Sequence, residues 1–184
     1  MADITPEQAL IILQESELLY LPEQIDGALD RMANDITDEL GNRDPLVLMV
    51  MNGAFITAAR LLARLRFPLR VGYLHATRYQ NGLSGDREID WIVSPRPPVI
   101  GQIVLVIDDI FDEGNTLRSI VEEIYRGGAL EIYSAVLINK QHDHKIDFSV
   151  DYVGLKVPDC YVFGCGMDYK EYWRNLPAIY SLRR

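Results

Sequence analysis

VLVIDDIFDEGNTL, residues 104–117, joins an apolar run to three carboxylates and a Gly-Asn-Thr turn. Val104–Ile107 predicts a buried strand, and the residues after the turn have the periodicity of an amphipathic helix. We therefore expect Asp108, Asp109 and Asp112 to gather at the carboxyl end of the strand. This arrangement predicts a ligand site at the edge of a sheet.

The residue types in this stretch suit a ligand that has a phosphate, a sugar and a bound cation. The backbone N–H groups of Glu113–Thr116 can surround a phosphate at a helix N-terminus, and Gly114 permits a close approach. Asp108 and Asp109 can accept sugar hydroxyls or hold Mg²⁺ through water. A strand-to-helix turn with merely solvated acids is the alternative, although three acids rarely gather at this spacing for solubility alone.

Common motifs with acidic residues or glycines do not match this stretch. A P-loop needs Lys after its last Gly, whereas Asn115 follows Gly114. An EF-hand fails because Ile110 stands where Asp or Asn is required. A phosphoaspartate DxD pair is also absent from the sequence.

The composition limits the class of protein. The 184 residues predict one domain, residues 1–184, with a core large enough to fold unaided. The 18 basic and 27 acidic residues argue against a nucleic-acid surface. No apolar run has the length of a membrane span, and Ala2–Leu13 lacks the pattern of a signal peptide. We therefore expect a cytoplasmic protein with no nucleic-acid or membrane partner.

The cysteines and two of the histidines do not predict a metal site. Cys160 and Cys165 fit neither a zinc knuckle nor a redox pair, so we expect reduced thiols in the core or the site. His142 and His144 flank an aspartate but have no third histidine nearby. We expect a solvated loop there.

The pattern of elements predicts an α/β fold. Thr5 begins a helix with a capping box, and a second helix follows Pro22 and ends at Gly41. Other predicted elements are the strand Leu46–Met51, the helix Phe55–Leu65, the strand Leu69–Ala76, the central strand and its helix Thr116–Arg126, and the strands Glu131–Ile138, Tyr152–Val157 and Tyr161–Gly164. Alternation of this kind predicts a mainly parallel twisted sheet flanked by helices, with ligands at the carboxyl ends of its strands. We expect a core of residues 42–150 and a small hood of residues 1–20 and 151–184.

Ile103–Leu117 resembles the signature of the type I phosphoribosyltransferases. That signature is a hydrophobic strand, two acids, two apolar residues, Asp, a small residue, Gly, any residue and Thr. Glu113 replaces the usual Thr of the signature. The resemblance implies the fold of that family and phosphoribosyl pyrophosphate as a substrate.

Two further segments belong to this resemblance. The amides of Met51–Ala54 can hold a second anion, or the segment is an ordinary strand-to-helix turn. It resembles a pyrophosphate loop, with Asn52 before Gly53 where most family members carry a basic residue.

The polar loop Thr77–Trp91 is either a hairpin or a lid. The resemblance implies a lid in which Tyr79 matches the family's Tyr and Arg78 replaces its Ser.

The segment Val157–Pro177 resembles the last conserved block of the 6-oxopurine branch. The resemblance implies that Lys140 donates to purine O6, that Tyr161 stacks on the ring and that the backbone of Val162 and Asp168 meets the base edge. It also implies that Arg174 pairs with pyrophosphate. Asp168 would hold Mg²⁺ together with Asp108 and Asp109.

The resemblance as a whole implies a purine-salvage enzyme. It would transfer 5-phosphoribosyl to N9 of hypoxanthine or guanine and release pyrophosphate, with Asp112 accepting or sharing the proton on purine N7. A homodimer or homotetramer is expected. The alternatives are a non-catalytic regulatory protein of the same fold and a xanthine-preferring enzyme.

Overall fold

A computed structural model describes residues 4–78 and 89–183 of the chain. Its helices are α1 Pro6–Glu15, α2 Pro22–Leu40, α3 Ala54–Leu62 and α4 Asn115–Arg126. Its strands are β1 Glu17–Tyr20, β2 Leu46–Met51, β3 Arg70–Arg78, β4 Ile89–Arg96, β5 Ile103–Phe111, β6 Glu131–Gln141, β7 Tyr152–Pro158, β8 Val162–Phe163 and β9 Ile179–Ser181.

The main sheet has the strand order β4-β3-β2-β5-β6-β7. Neighbouring strands are parallel except for β4, which runs antiparallel to β3 at one edge. Helices cover both faces of a parallel sheet, so its central strands are apolar on both sides. Val104–Ile107 in β5 is accordingly buried throughout. The expected α/β fold with a mostly parallel sheet is confirmed.

The helices follow the sequence signals closely. Thr5 caps α1 through its side chain and Gln8 returns the hydrogen bond, which completes the predicted capping box. The apolar face of α2, which includes Ile25, Leu29 and Ile36, is fully buried. Helix α3 ends at Leu62, earlier than the predicted Leu65.

Several strands differ from the prediction, and β1 and β9 were not predicted. β4 was assigned to the polar loop, because an edge strand is partly exposed and shows little apolar periodicity. β5 and β6 run three residues or more beyond their predicted ends, and their pairing continues to Phe111 and Asn139. Tyr79 and the side chain of Arg78 lie outside the described residues, so the lid remains a prediction.

A second sheet, formed by β1, β9 and β8, joins the two ends of the chain. Trp173 anchors α1 to the C-terminal segment by donating from Nε1 to the carbonyl of Ala9 at 3.0 Å. β7, in a segment that was assigned to the hood, pairs with β6 in the main sheet. The division of the chain into a core and a hood stays a prediction. Among the described residues, no helix is both long and apolar enough to cross a membrane.

Candidate functional site

A cavity of about 190 Å³ lies at the carboxyl end of β5 and β6, between the main sheet and the C-terminal segment. The residues that line this carboxyl-edge cavity are Asp109, Ile110, Asp112, Lys140, Tyr161, Val162, Met167 and Asp168. Six of the predicted site residues therefore meet in one place, namely Asp109, Asp112, Lys140, Tyr161, Val162 and Asp168. Ile110 and Met167 were not predicted, since apolar residues at these positions look like ordinary core.

The three aspartates of the signature do not play equivalent structural parts. Asp109 and Asp112 line the carboxyl-edge cavity, whereas Asp108 is 8% exposed and is not among the described lining residues. Asp108 is buried beside this strand end, while Asp109 is partly exposed there. The Oδ1 of Asp108 instead accepts the backbone N–H of Asp109 at 2.9 Å.

Asp112 receives one donor on each carboxylate oxygen. Lys140 Nζ lies 2.9 Å from Oδ2, and His142 Nε2 lies 2.8 Å from Oδ1. Burial raises the pKa of Asp112, but the hydrogen bonds from Lys140 and His142 outweigh it and lower the pKa overall. Asp112 is therefore an ionised acceptor next to a cation that is 13% exposed.

His142 corrects the expectation of a solvated loop. Its side chain is only 6% exposed and contacts Asp112, while His144 is exposed. β6 extends to Gln141 and His142 follows it directly, and the side chains of Lys140 and His142, two residues apart, both reach Asp112. That spacing was the available sequence signal. Among the described residues, no cluster of three or more metal-ligating side chains occurs.

Asp168 and Arg174 form an ion pair of 2.6 Å beside the carboxyl-edge cavity. Asp168 Oδ2 also accepts the backbone N–H of Glu171 at 2.7 Å, and Arg174 donates to the carbonyl of Gly166 at 2.7 Å. The Tyr161 hydroxyl donates to the carbonyl of Asp168 at 3.0 Å. These bonds hold Tyr161 and Asp168 against the cavity.

Gly53 lies directly against Asp109 at the start of α3. A Cβ atom on Gly53 would stand 2.0 Å from Asp109 Oδ2, and one on Gly166 would stand 2.1 Å from the carbonyl oxygen of Gly53. Burial raises the pKa of Asp109, although the charge of Arg174 opposes that shift. The Met51–Asn52 peptide bond before Gly53 is cis, and Asn52 is exposed.

The turn before α4 requires glycine at position 114. Its φ of 95° is in the left-handed region, and a Cβ atom would lie 2.6 Å from the ring of Phe111. Asn115 donates from its side chain to Glu113 Oε2 at 2.9 Å. Backbone N–H groups at a helix N-terminus can bind an anion, and the anion cradle at Glu113–Thr116 stays a prediction.

The two cysteines behave as expected. Cys165 is fully buried and Cys160 is half-buried, and both are thiols. Arg60 donates to the sulfur of Cys165 at 3.2 Å.

Comparison with known proteins identifies related sequences over most of the chain. The model of the phosphoribosyl transferase domain family matches residues 20–171. The hypoxanthine-guanine phosphoribosyltransferase of Bacillus subtilis is 32% identical over 167 residues, which cover 91% of this chain and 93% of that protein. The protein of the same name from Aquifex aeolicus is 30% identical, with 90% and 94% covered. A bifunctional protein TilS/HprT of Listeria monocytogenes is 32% identical over 91% of this chain, which spans only 26% of that longer protein.

Solved structures of similar proteins have the same fold as this chain. A hypoxanthine phosphoribosyltransferase from Staphylococcus aureus superposes with a TM-score of 0.87 at 26% identity, covering 94% of this chain and 95% of that one. A mutant hypoxanthine phosphoribosyltransferase from Trypanosoma cruzi in a ternary substrates complex superposes with a TM-score of 0.85 at 28% identity, covering 92% and 97%.

Proposed function

The chain belongs to the phosphoribosyl transferase family, and we propose that it is a purine-salvage enzyme acting on 6-oxopurines. It transfers the 5-phosphoribosyl group from phosphoribosyl pyrophosphate to N9 of hypoxanthine or guanine and releases pyrophosphate. The observation that carries this proposal is the pair of Lys140 and Asp112 on the wall of the carboxyl-edge cavity, opposite charges 2.9 Å apart.

The chemistry of that pair matches one edge of a 6-oxopurine. The edge presents O6, a hydrogen-bond acceptor, beside N7, which carries a proton in one tautomer of the base. Lys140 offers a donor for O6 and Asp112 offers an ionised acceptor for the N7 proton. When Asp112 accepts the N7 proton, electron density increases at N9, the atom that attacks the sugar. Tyr161 supplies a flat face for the ring, and a pyrimidine has no counterpart of N7.

The activated sugar is held by the signature turn in this proposal. The backbone N–H groups of Glu113–Thr116 bind the 5-phosphate at the positive end of α4, and Asp108 and Asp109 orient the ribose hydroxyls. The amides of Asn52 and Gly53 and the guanidinium of Arg174 stabilise the departing pyrophosphate. The anomeric carbon passes through an oxocarbenium-like state, so a stabilised leaving group lowers the barrier.

The donor set beside the cavity fits a magnesium ion. Mg²⁺ prefers carboxylate and phosphate oxygens and is often held by only one or two protein carboxylates. Asp109 and Asp168 both line the carboxyl-edge cavity, and Asp108 adjoins Asp109. When bound, Mg²⁺ would neutralise charge on the pyrophosphate.

The Tyr79 loop, as a lid over the reaction, would exclude water from the sugar.

Gly53→Ala tests the contact between the pyrophosphate loop and Asp109. The added methyl group requires Asp109 to move, because its Oδ2 would lie only 2.0 Å away. We expect the KM for phosphoribosyl pyrophosphate to rise by about tenfold, since misplaced groups cost binding and orientation. Steady-state kinetics at saturating base measure this change.

Gly27→Ala is the matched control for that variant. A Cβ atom at Gly27 meets nothing within 4 Å, and the residue lies inside α2. The substitution is expected to leave the kinetics unchanged and to stabilise the fold by about 0.5–1 kcal/mol. A KM for phosphoribosyl pyrophosphate that is the same in both variants would show that Asp109 does not contribute to substrate binding.

A direct assay tests the function. The purified protein is incubated with Mg²⁺, phosphoribosyl pyrophosphate and one free base at a time, and the nucleotide formed is identified by mass. We expect IMP from hypoxanthine and GMP from guanine, each with one pyrophosphate. XMP as the main product would make it a xanthine enzyme, and no product from any base would favour a ligand-sensing protein.

Two further measurements test the proposed assembly and location. Light scattering distinguishes the proposed homodimer from a homotetramer, and fractionation of cells tests the proposed cytoplasmic location.

A further inference from the structure

The buried ring of His142 is bonded through both of its nitrogens. Nε2 lies 2.8 Å from Asp112 Oδ1, and Nδ1 accepts the backbone N–H of His144 at 3.1 Å. A neutral imidazole has one donor nitrogen and one acceptor nitrogen. Because the N–H of His144 occupies Nδ1, the proton stands on Nε2 and is donated to Asp112.

Two donors of different mobility therefore fix the Asp112 carboxylate. Lys140 contacts Oδ2 from the end of β6, and His142 contacts Oδ1 from the residue just beyond that strand. Lys140 has a flexible stem and is also the proposed donor to the base. The ring of His142 is rigid, buried and tied to the backbone. When a base engages Lys140, His142 still holds the carboxylate in place.

We propose that His142 is a positioning residue that holds Asp112 in the orientation needed to accept the purine N7 proton. This inference rests on the proposed function, because it assigns His142 a part in the base-activation step of that reaction. His142 does not touch the substrate in this proposal and acts only through Asp112.

Two substitutions separate the bond to Asp112 from the bond to His144. His142→Gln places an amide N–H donor at nearly the reach of Nε2, so it can still contact Asp112. His142→Asn is one methylene shorter, and its oxygen can still accept the N–H of His144 while its amide falls short of Asp112. We expect His142→Asn to lower kcat by about tenfold or more, as a misplaced catalytic group does, with the KM for phosphoribosyl pyrophosphate unchanged. His142→Gln is expected to retain most of kcat.

Asp143→Asn is the control, since it changes an exposed side chain of the same turn, and it is expected to behave as wild type. Equal losses of kcat in the Gln and Asn variants would overturn the proposal, because the donor to Asp112 would then not matter. Wild-type kcat in His142→Asn would overturn it as well.

A spectroscopic measurement tests the contact even if the protein makes no nucleotide. In long-range ¹H–¹⁵N spectra of the side chains, we expect His142 to carry its proton on Nε2 and its signals to shift in Asp112→Asn. A ring protonated on Nδ1, or signals that do not respond to Asp112→Asn, would overturn the proposal independently of any activity.

Discussion

Asp112→Asn is expected to lower kcat with both hypoxanthine and guanine by about 10²–10⁴-fold, the usual contribution of a positioned proton acceptor. The two donors that hold this carboxylate also make an amide a poor replacement for it. Lys140 faces one oxygen and His142 faces the other. Whichever way the new amide turns, its NH₂ group faces a donor, and the ionised acceptor for N7 is gone. Steady-state kinetics with each base measure the loss.

The control for this variant is the same chemical change at Asp143, whose side chain is exposed in the turn after β6. Thermal unfolding of both variants checks that the fold is retained. Binding of phosphoribosyl pyrophosphate, measured by calorimetry, is expected to persist in Asp112→Asn because the backbone of the signature turn is intact. Wild-type turnover in this variant would remove Asp112 from the mechanism.

Lys140→Met is expected to reduce kcat/KM for 6-oxopurines by roughly 100-fold or more, because a site built around a donor loses much of its affinity without it. Methionine keeps the length and much of the apolar stem of the side chain but has no N–H group. Purine O6 would then be buried without a partner, and Asp112 would lose the cation 2.9 Å away. Kinetics with hypoxanthine and guanine, compared with binding of phosphoribosyl pyrophosphate alone, locate the loss at the base.

Lys156→Met provides the matched control, since Lys156 lies on the neighbouring strand β7 with an exposed side chain. It is expected to retain wild-type kcat/KM. If Lys140→Met also retained it, the base would bind elsewhere and the proposed reading of O6 would be wrong.

The sequence alone predicted those parts of the site that depend on local chemistry. The alternation of apolar runs and helices indicated a mostly parallel sheet, and the signature turn indicated a phosphate cradle at the N-terminus of α4. Gly114 shows why a local pattern can indicate a turn, because its positive φ and its close approach to the nearby Phe111 both arise within a few residues. Lys140, Tyr161, Val162 and Asp168 were placed through the family resemblance, and they line the cavity together.

Other features were invisible because they depend on pairing between distant segments. β4 forms only by pairing with β3, so its own residues looked like a polar loop. The burial of the His142 side chain depends on β6 extending beyond its apolar run. The contact of Gly53 with Asp109 joins the ends of two different strands. Burial and close approach are properties of packed surfaces, which a linear pattern does not contain.

The amino-acid sequence therefore determined the residue types at the sheet edge and the backbone turn that can bind an anion, since both follow from neighbouring residues. The tertiary structure decided which carboxylate faces the cavity and which donors hold it. Asp109 and Asp112 line the cavity whereas Asp108 is buried beside it, and the alignment of β5 with β6 brings Lys140 and His142 to Asp112. Those contacts exist only after distant strands have come into register, because register alone sets which side chains meet.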